Sequence, residues 1–129
     1  MRLMAIDYGE KRVGIASTDD SGSFALPRAV WPNDGALLSK VLKFKDEHRI
    51  EGIVMGESKN FGGDENPIQE KIEEFKKELE DLGIKVFLHP EVLTTIEAKR
   101  LQGQTEMTDA SAAALILKSF VDTMYNKDA

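Results

Sequence analysis

The strongest constraint on this chain is a change of apolar pattern along its length. Short runs that read as strands crowd the first 26 residues, and from residue 33 onward helical spacing alternates with further short apolar runs. That order specifies an α/β domain built on a mixed sheet. Arg2 to Asp7 reads as a buried strand closed by an acid, Tyr8-Gly9-Glu10-Lys11 as a turn, and Val13 to Thr18 as a second strand. Asp19-Asp20-Ser21-Gly22 then turns the chain into Ser23 to Leu26, which completes an antiparallel meander.

After Pro32, Asn33 is expected to cap a helix in which Leu37, Val41 and Phe44 keep helical spacing, with Leu38 and Leu42 beside them. Glu51 to Gly56 reads as a central strand. Asn66 is a cap candidate for the next helix, Pro67 suits its first turn, and Ile68, Ile72, Phe75, Leu79 and Leu82 form one stripe that ends at Gly83. Ile84 to Leu88 is a fifth strand, and Thr94-x-x-Glu97 matches a capping box opening a short helix to about Leu101. Thr108 or Asp109 starts a last helix that reaches about Tyr125. The expectation is a mixed five-stranded sheet, a three-strand antiparallel meander plus two parallel strands, with helices on both faces.

The chain has 129 residues, 41% hydrophobic and 31% charged, which fits one compact soluble domain. It contains no cysteine, so disulfides, thiolate zinc sites and a cysteine nucleophile are excluded. His48 and His89 alone make a poor zinc set. Metal chemistry must therefore use oxygen ligands and a hard ion such as Mg²⁺ or Mn²⁺. The longest stretch without charged or strongly polar side chains, Ala112 to Leu117, is far shorter than the roughly 20 residues that cross a bilayer, so no membrane partner is expected. An acid at position 7 spoils a signal-peptide core and makes the cytoplasm the default location. A net charge of −6 argues against a broad basic face for duplex nucleic acid and leaves room for a local groove.

Chemistry concentrates in acids at element ends. Asp7 closes the first strand, where a carboxylate either caps a turn or holds an ion. Glu91 follows the fifth strand, the kind of strand end at which ligands gather in open α/β sheets. Asp109 lies at the start of the last helix, where it is either an ordinary cap or an ionised ligand. A sheet of the expected order brings the ends of the first and fourth strands together with the last helix nearby. Three converging carboxylates repel one another, and a pair of divalent ions about 3.5–4 Å apart relieves that repulsion and can cleave phosphodiesters. Glu57 reads first as a solvated loop glutamate and second as an acid that supplements or replaces Glu91.

Ala5-Ile6-Asp7-Tyr8-Gly9-Glu10-Lys11-Arg12-Val13-Gly14-Ile15-Ala16 closely resembles the opening motif of the YqgF family, also called RuvX. These are pre-16S rRNA nucleases related to Holliday junction resolvases within the RNase H-like superfamily. Val54-Met55-Gly56 fits the family's fourth strand, and Asn60-Phe61-Gly62-Gly63-Asp64 fits its glycine-bearing loop. Glu91 to Ala98 looks like its Asp-Glu-Arg-Leu-Thr-Thr-x-Glu-Ala block, and Asp109 to Leu117 resembles its Asp-x-x-Ala-Ala-x-x-Ile-Leu helix. The resemblance spans the chain and implies one RNase H-like domain over residues 1–129. It further implies Asp7, Glu91 and Asp109 as catalytic, metal-binding acids, with Mg²⁺ or Mn²⁺, two ions, as cofactor. The implied activity is an endonuclease trimming the 5′ end of precursor 16S rRNA. In the first motif Lys11 and Arg12, together with Lys59, are the candidates for meeting substrate phosphates. Two departures stand out. His89-Pro90-Glu91-Val92 lacks the family's acid before the glutamate and arginine after it, and Gly103 to Thr108 replaces a connection that is commonly longer and richer in Lys and Arg.

The remaining candidates read more plainly. Gly9 and Gly14 allow a tight turn and close packing, and Thr94 and Thr95 are helix caps. His89 is a partly buried structural residue, and Trp31, Tyr8 and Phe61 are core or edge packing rather than base-stacking platforms. Expected partners are nucleic acid, with precursor rRNA ahead of branched DNA, and ribosomal particles, for a monomer or weak dimer. Competing functions are a non-catalytic RNA- or ribosome-binding module, a Holliday junction resolvase-like DNA nuclease, and an actin-like phosphotransferase.

Overall fold

Sheet formation starts from the apolar run at the N-terminus. In the computed structural model, which describes residues 1–57, 67–90 and 106–126, β1 (Leu3–Tyr8) pairs antiparallel with β2 (Arg12–Thr18), and β2 antiparallel with β3 (Ala25–Pro32). β4 (Gly52–Glu57) lies parallel to β1 on its other side, and β5 (Val86–Pro90) parallel to β4. The spatial order is β3-β2-β1-β4-β5. This is the expected meander plus two parallel strands. Helices α1 (Leu37–Glu47), α2 (Pro67–Asp81) and α3 (Glu106–Asn126) cover it.

Side chains alternate across a strand, so β1 divides its residues between two cores. Met4 and Ile6, with Val13, Ile15, Ile53 and Met55, join Leu37 and Val41 of α1 and Ile72, Phe75 and Leu79 of α2. Leu3 and Ala5, with Ala16 and Val54, meet Ala113, Ile116, Leu117 and Val121 of α3. Burial on both faces is why β1 and β4 read as continuous apolar runs instead of alternating ones. Ala5, Ala16 and Ala113 are fully buried on the α3 side, and such small residues let the helix approach the sheet closely. Among the described residues no helix is long and apolar enough to cross a membrane.

Several boundaries differ from the sequence reading. β3 runs to Pro32 instead of ending at Leu26, because it goes on pairing with β2, across a shift of register between Ile15 and Ala16, up to the pair Arg12 and Pro32. Asn33 consequently does not cap α1. The helix starts at Leu37 with Ala36 as a cap lacking any side-chain bond, while Asp34 accepts the Ala36 N–H at 2.9 Å. β5 is shifted two residues onward, since the Ile84 N–H is spent on Leu79 O at the end of α2. Leu82 falls in the turn after α2 and is exposed, with Gly83 beyond it at φ +84°. α3 begins at Glu106, before the expected Thr108 or Asp109. The capping-box helix expected around Thr94 and the cap Asn66 lie outside the described residues.

Candidate active site

β1 carries Asp7 to its C-terminal end, and the register of the sheet decides what stands around it. Asp7 pairs with Gly14 of β2. On the other side Ile6 pairs with Met55, so the next step along the two parallel strands sets Asp7 beside Gly56. Gly56 in turn pairs with His89 of β5. Asp7 has the parity of Leu3 and Ala5, and His89 that of Phe87, so this transverse row lies on the face covered by α3. Asp7 is half-buried, and its row neighbours on both sides carry no side chain.

The turn after Asp7 is fixed by backbone geometry. The Gly9 N–H donates to Arg12 O at 3.1 Å, and a Cβ on Gly9 would lie 2.5 Å from that same oxygen. A glycine is required at that approach. Asn33 closes the turn from β3, its backbone N–H donating to Lys11 O at 2.9 Å and its Nδ2 to Gly9 O at 2.8 Å. The sequence reading missed this role because the cap signal at Asn33 looked complete in itself. Lys11 and Arg12 are exposed on the turn so held.

Glu57 is the last residue of β4, paired with Pro90 and half-buried, not a solvated loop residue. Pairing with β5 carries β4 one residue beyond the expected Gly56. Its parity is that of Ile53 and Met55, which places it on the α1 and α2 face, opposite to Asp7. Tyr8 shares that face and packs against Phe75, with ring centroids 5.5 Å apart.

His89 is half-buried, as expected of a structural histidine, and its partner was not foreseen. Its Nε2 lies 2.8 Å from Ser119 Oγ on α3, and its ring meets Phe120 edge-on at 5.9 Å. Burial holds the ring below the ordinary histidine pKa, so it is neutral at pH 7. The contact ties the end of β5, immediately before Glu91, to the helix that carries Asp109. Asp109 lies in the first turn of α3, where unsatisfied N–H groups favour carboxylates. Its side chain, together with Glu91 and Lys59, lies outside the described residues. Among the described residues, no three metal-ligating side chains group together.

Residues 1–123 match the family model described as RuvX, Holliday junction resolvase. The chain belongs to the RuvX family. Relatives named "Putative pre-16S rRNA nuclease" include one from Syntrophus aciditrophicus, 34% identical and covering 96% of this chain and 90% of its own. Another, from Thermoanaerobacter pseudethanolicus, is 30% identical over 98% of this chain and 100% of its own. Among solved structures, RuvC of Thermus thermophilus in complex with Holliday junction substrate aligns with a TM-score of 0.62 at 16% identity over 96% of each chain. The Fowlpox virus resolvase, in complex with its Holliday junction DNA, aligns at 0.61 and 13% identity over 96% of this chain and 99% of that one. The RuvX chain therefore has the RNase H-like fold of these resolvases, and the stretch that matches the family model contains Asp7, Glu57, Glu91 and Asp109.

Proposed function

We infer that this protein is a metal-dependent endonuclease that cleaves a phosphodiester bond during maturation of the 5′ end of precursor 16S rRNA. The single observation that supports it most is the position of Asp7. A half-buried carboxylate at the C-terminal end of β1, flanked by Gly14 and Gly56, faces the helix that carries Asp109. Asp7, Glu91 and Asp109 are the catalytic acids of this reading. Their oxygen donors suit a hard divalent ion, Mg²⁺ or Mn²⁺. When bound, such an ion supplies Lewis-acid polarisation of the phosphoryl oxygen and a more acidic water.

The chain's own residues supply the rest. Lys11 and Arg12 on the Gly9 turn, with Lys59, neutralise phosphates next to the scissile bond and fix the strand relative to Asp7. The His89 to Ser119 contact holds β5 against α3 and so sets the spacing between the strand end before Glu91 and the helix bearing Asp109. Hydrolysis joins a water oxygen to phosphorus and breaks one ester P–O bond, and the departing oxygen takes up a proton. Glu57, on the opposite face, is left out of the primary set. The same reading puts the protein in the cytoplasm, in ribosome biogenesis.

The test is cleavage of an RNA spanning the 5′ end of 16S rRNA, with and without Mg²⁺ or Mn²⁺. Metal-dependent cutting that disappears in Asp7→Asn and Asp109→Asn proteins of unchanged fold is expected. Variants that cut as well as the parent would refute the assignment. Tight RNA binding without turnover would select a non-catalytic binding module instead. The family's description as Holliday junction resolvases favours one second reading, cleavage of branched DNA, and a four-way junction belongs in the same assay.

A further inference from the structure

The α1 side of this sheet end carries a surface that the cleavage reading does not use. Trp31, the only tryptophan, sits in β3 opposite Val13, which pairs with Tyr8 of β1. Trp31 and Tyr8 thus share a face and a transverse row, two strand spacings or about 10 Å apart. Trp31 is half-buried and meets Phe44 of α1 edge-on, with centroids 6.1 Å apart and planes at 72°. Beside it opens a groove of about 280 Å³ lined by Trp31, Lys40, Lys43, Phe44 and Glu47. Lys43 lies 3.8 Å from Glu47, but both side chains are well exposed, and such a pair yields readily to a competing anion. No carboxylate among the described residues pairs with Lys40.

We propose that this groove is a subsite for a single strand of nucleic acid, an unpaired base stacking on Trp31 while backbone phosphates meet Lys40 and Lys43. An aromatic platform rimmed by cations is how proteins hold single strands without reading sequence. The subsite deepens the cleavage reading and rests on it for the identity of the strand. The groove lies on the sheet face opposite to Asp7, and the two sides meet around the sheet end, where Asn33, two residues beyond Trp31, bonds directly to the turn that carries Lys11 and Arg12. A strand that bends round this end of the sheet would pass Lys40 and Lys43, then Trp31, then Lys11 and Arg12 on the turn, before it reaches Asp7 on the α3 side. Charge favours that path. α1 carries three lysines against two acids, whereas α2 carries six acids against three lysines and repels phosphates on its side.

The lone tryptophan reports on its own site. Fluorescence of the full-length Asp7→Asn protein is titrated in Mg²⁺ with a single-stranded oligoribonucleotide, and in parallel with the matching oligodeoxyribonucleotide, while anisotropy of a labelled strand gives affinity independently. Saturable quenching that tracks the anisotropy is expected, with RNA and DNA arms showing which strand is preferred. Lys43 is exposed and Lys40 half-buried on α1, so the double charge reversal Lys40→Glu, Lys43→Glu is checked for an unchanged Tm alongside binding. It should weaken binding by roughly tenfold or more and lower the slope of log affinity against log salt by about 1.4, the share of two phosphate contacts on a single strand. Binding without quenching, or an unchanged affinity and salt slope in the double variant, would overturn the subsite. Quenching in a protein whose parent cuts nothing would keep the subsite and refute the nuclease, so the two failures are distinguishable.

Discussion

Asp7 stands directly opposite Gly14 in the pairing of β1 with β2, and Gly56 lies at the same level on its other side. The carboxylate therefore has no side chain beside it in its own row. Asp7→Asn keeps size and removes charge, and is expected to lower metal-dependent cleavage by at least about 10²-fold, the scale seen when one charge-stabilising group is lost. Gly56→Val improves strand propensity while filling the adjacent space. Gly56 is buried, so the variant is expected to melt somewhat lower, and cleavage compared at a temperature where it is fully folded should still fall. Full activity in Gly56→Val would show that the space beside Asp7 is not used.

Ala113 packs fully buried against Ala5 and Ala16, and this contact sets how closely α3 approaches the sheet. Ala113→Leu inserts three carbons into a filled interface and is expected to destabilise by about 1–3 kcal/mol. It should also lift the helix that carries Asp109. Cleavage at a temperature where the variant is fully folded should therefore fall, whereas Met124→Ala, at a 40% exposed position of the same helix, should change neither stability nor rate.

α1 ends on a residue type that suits its position poorly. Arg49 adopts φ +52°, with the Ile50 N–H returning to Lys45 O at 2.9 Å, the left-handed helix end that glycine fills best. Arg49→Gly is expected to stabilise the chain by about 1 kcal/mol, seen as a rise in Tm of roughly 3–5 °C. An unchanged or lower Tm would mean that the arginine makes a compensating contribution.

Burial depresses the His89 pKa, so below the ordinary value of 6.5 the unfolded chain takes up a proton that the folded chain refuses. The stability that depends on neutral His89 is complete above about pH 6.5 and is lost as pH falls from there through the folded pKa. Tm should therefore drop between about pH 7 and pH 5, and His89→Gln should flatten that drop. An equal pH response in both chains would assign the effect to other groups. Ser119→Ala removes the partner of the ring and should cost about 1 kcal/mol.

Most of the fold was legible because β1, β4 and α2 carry unambiguous apolar patterns, and the order of elements then leaves one plausible sheet. The errors share a physical cause, since they arise where tertiary pairing overrides local signals. Asn33 looked like a cap and instead bonds to Lys11 and Gly9 across the sheet. Glu57 looked like a loop residue and is drawn into β4 by its pairing with Pro90. For the candidate site, sequence alone singled out Asp7 as a candidate, but the flanking glycines become meaningful only through register, and Ser119 carries no sequence cue that ties it to His89.

Lys11 and Arg12 sit on a turn pinned by Gly9 and Asn33, exposed and next to Asp7 in sequence. If they meet phosphates, replacing each by alanine should raise KM more than it lowers kcat, because phosphate contacts hold the strand in the ground state and in the transition state alike. On a single-stranded substrate each replacement should reduce the salt slope of binding by about 0.7. The turn itself should survive, since its bonds run through backbone atoms of Gly9, Lys11 and Arg12. A double variant with an unchanged KM and salt slope would remove these two side chains from substrate binding, and the phosphates would then have to be held by Lys59 and the Lys40 and Lys43 pair.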